Sequence, residues 1–525
     1  MKNARLALRG GSSRRRRRSR VGVTAIAIAL IGVVAMPSGG VAAPHQGRPE
    51  RGTGFTVSKV GTVTVRDLPA TTAQGSRQLL PALRFNPDAY AAAKASPKGG
   101  NEGGVVTATR PTVSVGTKLA SPLSSDDDPR WTPPDMGFAA GGGFKMEQVN
   151  TSGRIWNAAD SPGLAFDLST FYLTGGDLIS DPWVLFDSAS GRWFAAIFDI
   201  TLSSERLAVS ASADPTGLFH VYNVPEGDPG GCPDQGKIGV SDNVVGLSAN
   251  EFTSCFINPR FRGVIITVLN KSQLVAGALT VDATAFGPLA NYSSSVVPAQ
   301  SLSATTTQWY AGVDDSSSTV AHVVKTVGTP PGAVTLSEPF TPGIRVLKTP
   351  PGADQPGTST KLETNDNRVQ TVAWRSGSLV FTNTDACIPR RDTAVRSCSR
   401  LLSIDTGIGT VKIDKELAKR NQHTFFPAAS INANGTIVVG YGRSSSSVFP
   451  ELDVRASSAG GRLSGAKSVQ SGDAANETTR YGDYFAVAVD PLAPTNVWVA
   501  GEVGGHNSFG SGGWGTAVAR ILVTP

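Results

Sequence analysis

The sequence predicts an all-β protein, a β-propeller of six or seven strand groups that follows an extended N-terminal arm. From about residue 131 onward, short runs rich in Val, Ile, Phe, Tyr and Trp are broken by Gly, Pro, Asp-Pro and Asn-Gly turn signals. These runs form groups that recur about every 45 to 65 residues, each long enough for four strands. Charged residues make up only 17% of the chain, which argues against a helix-rich surface or a coiled coil.

The first 43 residues predict an export signal. Nine bases and no acid precede a largely apolar run at 21–36, and the small residues at 41–43 suit a signal-peptidase site after Ala43. The alternatives are a retained membrane anchor, for which the apolar run is short, and a basic tail, which leaves that run unexplained. We therefore expect a secreted, extracellular protein with no membrane span in the mature chain; Sec and twin-arginine export both remain open.

The net charge changes sign when this signal is removed. The full chain carries 48 bases and 41 acids, a net charge of +7. Without the nine bases of residues 1–43, 39 bases face 41 acids and the net charge is −2. The mature chain has no global positive field to attract nucleic acid or an anionic membrane, so neither is an expected partner.

Residues 44–130 are rich in Gly, Pro, Ser and Thr, and we interpret them as an arm or linker. One strand-like alternation covers 55–65 and one short helical patch covers 88–94. We expect this segment to become ordered only by lying on the rest of the chain.

Residues 131–525 form the predicted propeller domain. The chain ends on strand-like sequence at 516–523, which would complete a terminal group and remove an open edge. One helix turn is predicted at 415–419. Tandem sandwiches and a β-helix are the alternative folds, but no Pro/Ser-rich linker divides the span. The seven groups are expected to begin near Gly137, Asp181, Lys237, Ser301, Val369, Phe426 and Tyr484.

Four cysteines follow the predicted signal: Cys232, Cys255, Cys387 and Cys398. An even number in an exported chain predicts two disulfides. Sequence alone allows three connectivities, and pairing neighbours would close the shortest loops. The cysteines do not have the spacing of a zinc site.

Five segments together resemble secreted bacterial β-propellers of the sialidase or neuraminidase-repeat type. They carry the motifs Pro-Pro-Asp, Asp-Pro-x-Val with Gly-Arg-Trp, Asp-Pro-Thr-Gly, Lys-x-Gly-Val with Ser-Ala-Asn-Glu-Phe, and Arg-Tyr-Gly-Asp-Tyr. Phe219 and Tyr481 stand where the family has Trp, and Gln235-Gly236 replaces an aromatic-Pro pair. The resemblance covers most of 131–525, is weakest at 280–420, and implies the propeller fold without implying an activity. The segments are 133–156, 181–194, 209–217, 237–252 and 480–498.

A sialidase would need clustered arginines, a Tyr–Glu pair and an aspartate at one end of the channel. The repeat-like segment at 212–219 is one residue too long before its glycine, and no histidine has catalytic or metal-ligand spacing. No catalytic residue is therefore assigned. The candidate charges for such a site are Arg192, Arg368, Arg375, Arg480, Asp181 and Asp483.

Charged residues close to the starts of predicted innermost strands form the candidate binding site in the central channel. They could bind a cation such as Ca²⁺, a carboxylate or a sugar, or pair with one another to fix the register of the groups. No other cofactor is predicted. The residues are Asp135, Asp181, Lys237, Arg480 and Asp483.

Several aromatic residues could either stack on sugars or fill the wedges between strand groups. They are Trp309, Tyr310, Trp374 and Trp514. The sequence thus favours a monomeric binding or cell-envelope-associated module, with carbohydrate as a candidate ligand. The alternative is a sialidase-like glycoside hydrolase.

Overall fold

The structure is a computed structural model that describes residues 50–71, 78–79, 82–101, 109–127, 131–226, 231–293, 295–315, 317–505 and 513–525. The predicted export signal, residues 1–43, lies outside the described residues. Strands make up most of the described chain and helices very little of it, so the all-β prediction is confirmed. None of the described helices is long and apolar enough to cross a membrane.

The arm contributes short elements that pair with the rest of the chain. The strand-like stretch at 55–65 forms most of β2, and the helical patch at 88–94 forms α1, whose first turn is capped by the Asn86 side chain. The elements are β1 (Glu50–Arg51), β2 (Thr53–Thr64), a 3₁₀ turn (Val65–Asp67), β3 (Gln78–Leu79), α1 (Pro87–Ala95), β4 (Gly100–Asn101), β5 (Thr112–Lys118) and, just after the arm, β6 (Trp131–Thr132).

Seven groups of mainly antiparallel strands follow within the described residues. Group 1 contains β7 (Gly137–Gly141), β8 (Phe144–Val149), β9 (Ser152–Trp156) and β10 (Phe166–Asp167). Group 2 contains β11 (Ile179–Asp187), β12 (Arg192–Asp199), β13 (Ser204–Ser210) and β14 (Leu218–Pro225). Group 3 contains β15 (Cys232–Val240), β16 (Val244–Phe252), β17 (Phe261–Asn270) and β18 (Thr280–Leu289). Group 4 contains β19 (Val296–Pro298), then β20 (Gln300–Ser301) beside it, β21 (Gln308–Val313), β22 (Ala321–Val327) and β23 (Thr335–Phe340).

The remaining three groups complete the described chain. Group 5 contains β24 (Val369–Arg375), β25 (Ser378–Ile388), β26 (Arg396–Asp405) and β27 (Val411–Glu416). Group 6 contains β28 (His423–Ile431), β29 (Ile437–Ser445), β30 (Val448–Ser457) and β31 (Lys467–Gln470). Group 7 contains β32 (Ala486–Val489), β33 (Val497–Gly504) and β34 (Trp514–Thr524), and β5 of the arm adds its fourth strand. Every group begins within five residues of its predicted start.

The first strands of the groups are arranged in a cycle. Each contacts the first strand of the next group, and β32 of group 7 contacts β7 of group 1. The arm follows the outer strands: β2 lies between β14 and β18 and joins groups 2 and 3. The last strand of the chain, β34, lies inside group 7, and β5 of the arm, not β34, completes that group at its outer edge.

The core consists of one apolar cluster between each pair of neighbouring groups. Strand periodicity explains this arrangement, because successive side chains point to opposite faces. On β11, Val184 and Phe186 pack toward group 1, whereas Leu185 packs toward group 3. Both faces of most strands are buried, which accounts for the nearly continuous apolar runs in the sequence.

The helix turn predicted at 415–419 is wrong. Lys415 lies in β27 and pairs with Leu401, while Ile413 is buried between groups 5 and 6. The alternation of residues 411–416 places one face on the core, and sheet pairing overrides local helix propensity there. Two short helices were not predicted: α2 (Leu168–Phe171) and α3 (Lys271–Val275).

Both disulfides join sequence neighbours. Cys232 bonds to Cys255 and Cys387 bonds to Cys398. The shortest-loop pairing is therefore confirmed, and no described cysteine is free. The second bond links the adjacent strands β25 and β26 and so fastens a single hairpin. Two disulfides are consistent with an oxidising, extracellular compartment.

Candidate functional site

A cavity of about 400 Å³ lies inside the cycle of first strands, and we call it the central cavity. All seven groups contribute to its walls through residues such as Phe138, Trp183, Ile238 and Val372. At the end where the first strands finish, the exposed residues Asp242 and Ala304 stand at its rim. The central cavity therefore reaches solvent at that end.

A second, much smaller cavity of about 40 Å³ lies at the opposite end, where the first strands begin. It is lined by the charged cluster, which we define as Arg84, Asp135, Asp181, Asp234, Arg368, Arg480 and Asp483. The structure thus brings four of the five predicted channel residues to one place. The fifth, Lys237, is buried beside them.

β-Bulges set the direction of side chains in the charged cluster. The strand register shifts between Ser180 and Trp183 in β11, and between Asp234 and Lys237 in β15. Asp181 has a positive φ of 59° at the first of these bulges, and Asp135 has a φ of 48° just before β7. A left-handed backbone costs a residue other than Gly about 1–2 kcal/mol. Bulges of this kind redirect side chains away from the ordinary pleat.

The two aspartates use this geometry to connect neighbouring groups. Asp135 accepts hydrogen bonds from the Asp483 backbone N–H at 3.0 Å and from the Asn150 amide at 2.8 Å. Asn150 in turn accepts from the Asp181 N–H at 2.8 Å, and Asp181 accepts from the Gln235 N–H at 3.0 Å. This chain of hydrogen bonds runs from group 7 through groups 1 and 2 to group 3.

Each arginine of the charged cluster lies beside an aspartate of the protein itself. Arg480 binds Asp483 in a bidentate pair, with both N–O distances at 3.1 Å. Arg368 binds Asp366 through its Nε and Nη2 at 2.7 Å each, and the Nε of Arg84 lies 3.9 Å from the same carboxylate. Arg368 and Arg480 are therefore each already paired with an internal carboxylate.

Lys237 is enclosed by aromatic rings. Its Nζ lies 3.3 Å from the centroid of the Tyr484 ring and 4.2 Å from that of Trp183, and it has no hydrogen-bond partner among the described residues. Burial lowers the pKa of Lys237 to about 8, although the nearby carboxylates of Asp181 and Asp135 act to raise it. Cation–π contact replaces part of the lost hydration.

Burial changes the protonation of the acids as well. It raises the pKa of Asp135 well above its ordinary value, and the charges of Asp483 and Asp181 add to that rise. Burial raises the pKa of Asp181 too, with Lys237 opposing it. The pKa of Asp234 rises to about 7 for the same primary reason. The charged cluster therefore retains protons near neutral pH.

The arm covers this end of the molecule. Leu83 packs with Phe198 and Phe252 in a small apolar cluster, and its carbonyl accepts a hydrogen bond from Arg368 Nη2 at 2.9 Å. Farther along, Lys94 of α1 pairs with Glu363 at 2.7 Å. Residues 82–84 therefore lie directly over the charged cluster.

A Tyr–Glu pair lies beside the charged cluster: the Tyr90 hydroxyl of α1 donates to Glu363 Oε1, and the Tyr90 ring centroid lies 4.8 Å from the Arg84 guanidinium. The Tyr484 hydroxyl donates to the backbone carbonyl of Pro182 at 3.2 Å. Among the four arginines that the sequence analysis names as candidate charges, Arg368 and Arg480 belong to the charged cluster. Arg192 bonds to backbone carbonyls of its own turn, and Arg375 lies on the rim of the central cavity.

Sequence reasoning missed several members of this site. Asp234 lies at a bulge in β15, three residues before Lys237, just as Asp181 lies at a bulge in β11. The repeated position of an aspartate near the start of a first strand could have identified it. Asn150 lies in the turn directly after β8 and belongs to no motif. Arg84 comes from the arm, about 50 residues before the first group, and no sequence signal places it there.

The aromatic residues proposed for sugar stacking are buried in the wedges between groups. Trp309 and Trp374 pack between groups 4 and 5, Tyr310 between groups 3 and 4, and Trp514 between groups 7 and 1. The sugar-stacking hypothesis for these four is therefore wrong, and the wedge-filling alternative is confirmed. Their size fills the widening space between twisted sheets.

No group of three or more His, Cys, Asp or Glu side chains within the described ranges is arranged to hold a metal ion. The channel-bound cation stays a prediction. Of the histidines that are described, His423 contacts Ser397 and Asp354, and His322 lies between Asp314 and Glu338.

No protein-family profile and no curated protein sequence matches the chain. Among solved structures, a Hadza microbial sialidase aligns with 75% of this chain and 66% of its own, at 10% identity and a TM-score of 0.35. A protein of unknown function from Dyadobacter fermentans aligns over 78% of this chain and 99% of its own, at 10% identity and a TM-score of 0.37. An α-L-arabinofuranosidase from Fusarium graminearum aligns over 65% and 92%, at 12% identity and a TM-score of 0.35. Similarities this remote assign no activity to the chain.

Proposed function

We propose that this chain is a secreted, seven-bladed β-propeller that binds a cell-envelope component without hydrolysing it. The seven strand groups serve as blades and the central cavity holds the ligand. The cyclic contacts of the first strands support the propeller. The observation that carries the binding role is the contrast between the two cavities: the small one, of about 40 Å³, is filled by internal ion pairs beside the arm, whereas the central one has about 400 Å³ of space.

The electrostatics of the charged cluster argue against sialidase chemistry. A substrate carboxylate needs unoccupied guanidinium groups, but Arg368 and Arg480 already form bidentate pairs with Asp366 and Asp483. A cavity of about 40 Å³ is also well below the roughly 300–1,000 Å³ of typical ligand pockets. Asp135 and Asp181 are assigned to fixing the register of the blades, with a small bound cation as their alternative role.

A sialidase-like glycoside hydrolase is the second candidate, and one observation favours it. Three arginines and four aspartates from the arm and from separate blades converge on one end of the channel, beside the hydrogen-bonded pair of Tyr90 and Glu363. Such an enzyme would require the arm residues 82–84 to move and the internal ion pairs to open.

The two functions separate in paired assays. Incubation with chromogenic sialosides and arabinofuranosides is expected to release no sugar. Glycan arrays and cell-envelope fractions are expected to retain the protein, and Ala304→Trp at the open rim should abolish that retention. Ala459→Trp, at an exposed turn of group 6, is the matched control. Sugar release that disappears in Arg480→Gln or Asp483→Asn would favour the hydrolase.

A further inference from the structure

We infer that the central cavity binds an amphipathic monoanion, a molecule with an apolar body and a single carboxylate that pairs with Arg375. This inference rests on the proposed function and names the ligand class of the same site. It follows from the walls of the cavity, from one guanidinium at its rim and from two hydroxyls without partners.

The walls of the central cavity present apolar and polar surface in nearly equal parts. Met136, Phe138, Trp183, Ile238 and Val372 all line it. Its volume of about 400 Å³ lies within the usual range for small-ligand pockets, which are predominantly lined by apolar and aromatic side chains. An amphipathic ligand matches such walls, because its alkyl or aryl body is desolvated favourably against the apolar part and its polar group can pair with the polar part.

Arg375 supplies a positive charge at the open end. It is half-buried at the end of β24, and its Nε donates to the Ile431 carbonyl at 3.1 Å. No carboxylate within the described parts of the chain lies within ion-pairing distance of it, unlike Arg368, Arg400 and Arg480, which all pair with aspartates. Its remaining N–H groups suit a carboxylate brought by a ligand.

The other charged groups that line the central cavity do not neutralise Arg375. Asp187 lines the same cavity, but Lys271 neutralises it at 2.6 Å. Asp242 stands on the rim and is exposed, so water and salt screen its charge. Arg375 is thus the partly buried charge that a bound anion would meet.

Two serine hydroxyls add polar recognition. Ser241 and Ser301 line the cavity, and the Oγ atoms of both are buried with no hydrogen-bond partner among the described residues. Buried hydroxyls are ordinarily paired, and an unpaired one is costly. A carboxylate near Arg375 could accept hydrogen bonds from such groups after small rotations of their side chains.

Octanoate and octanamide test the inference, because they share a body and differ in charge. Calorimetric titration is expected to give octanoate an affinity at least about tenfold above that of octanamide, since hydrogen bonds to charged groups are the stronger class. Arg375→Gln should remove that preference. Arg192→Gln is the matched control, because Arg192 is also half-buried and bonds only to its own turn.

The outcomes separate the ligand class from the proposed function. Equal affinity for the two compounds, or octanoate binding that survives Arg375→Gln unchanged, overturns the anionic ligand. Failure of both compounds to bind overturns it as well. The proposed function fails separately, through sugar release in the glycosidase assay. Binding that Ala304→Trp abolishes and Ala459→Trp retains supports the location, and thermal melting of each variant verifies that it is folded.

Discussion

Replacing Glu147 by Gln should remove a penalty that grows with pH. Glu147 is fully buried on β8, where its Oε2 accepts the Leu123 backbone N–H at 3.1 Å. This contact fastens the segment that follows β5 to group 1, close to the point where groups 1 and 7 meet. Burial raises the pKa of Glu147 from 4.5 to about 7.

The sign and size of the effect follow from proton linkage. Below pH 4.5 both states of the wild-type protein hold the proton, and no penalty exists. Between pH 4.5 and 7 the unfolded state loses the proton while the folded state keeps it, so the free energy of unfolding falls with rising pH. At about 1.36 kcal/mol per pH unit, the loss reaches about 3 kcal/mol above pH 7.

Urea denaturation at pH 4.5, 6 and 8 measures this effect. The stability of Glu147→Gln relative to wild type should rise by about 3 kcal/mol across the series, because other titrating groups cancel in the difference. Glu50→Gln, at an exposed glutamate on β1, is the matched control. A pH-independent difference for Glu147→Gln would refute the reasoning.

Three further predictions concern the charged cluster and the disulfides. Arg480→Gln should destabilise the fold by about 3–5 kcal/mol, because it leaves the buried Asp483 without its bidentate partner. Adding Asp483→Asn should restore part of that loss in urea melts, and no recovery would contradict an electrostatic cause. Between pH 8 and 10.5 the free energy of unfolding of the wild-type protein should rise by up to about 3 kcal/mol, and Lys237→Met should abolish that rise. That rise is expected because the unfolded lysine still binds a proton there while the folded one has lost it; a variant that retains the full rise would rule Lys237 out as its source. Removing the Cys387–Cys398 bond by a double Ser substitution should cost about 3 kcal/mol, given the 11-residue separation, and an unchanged denaturation midpoint would count against it.

Much of the fold is predictable from local patterns. Apolar runs and turn signals predict the strands and place the start of every group within five residues, because period-two burial on both faces leaves a clear signature. The shortest-loop pairing also identifies both disulfides. Lys415 shows the limit of local reasoning. Its neighbours in sequence favour a helix turn, but pairing with β26 places it in a strand.

The candidate site is only partly predictable. Asp135, Asp181, Arg480 and Asp483 can be found because each lies near the start of a first strand, where a propeller places its channel. Their partners cannot be found in that way. Arg84 reaches the site from the arm through contacts nearly 300 residues distant in sequence, and the pairing of Arg368 with Asp366 depends on side-chain geometry.

The contrast between the central cavity and the small cavity filled by ion pairs underlies the interpretation of the whole molecule. Residue 303 lines the central cavity beside the exposed Ala304, whereas Ser180 lines the small cavity beneath residues 82–84. Both described disulfides occupy the native cysteines, so a newly introduced thiol can be followed without interference from them.

The most direct test is the rate at which a thiol reagent modifies Ser303→Cys and Ser180→Cys. The Ser303→Cys thiol is expected to react rapidly, and octanoate should slow it. The Ser180→Cys thiol should resist modification until the protein unfolds. Rapid modification of Ser180→Cys in the folded protein, together with a protected Ser303→Cys, would contradict the assignment of the open end to ligand binding.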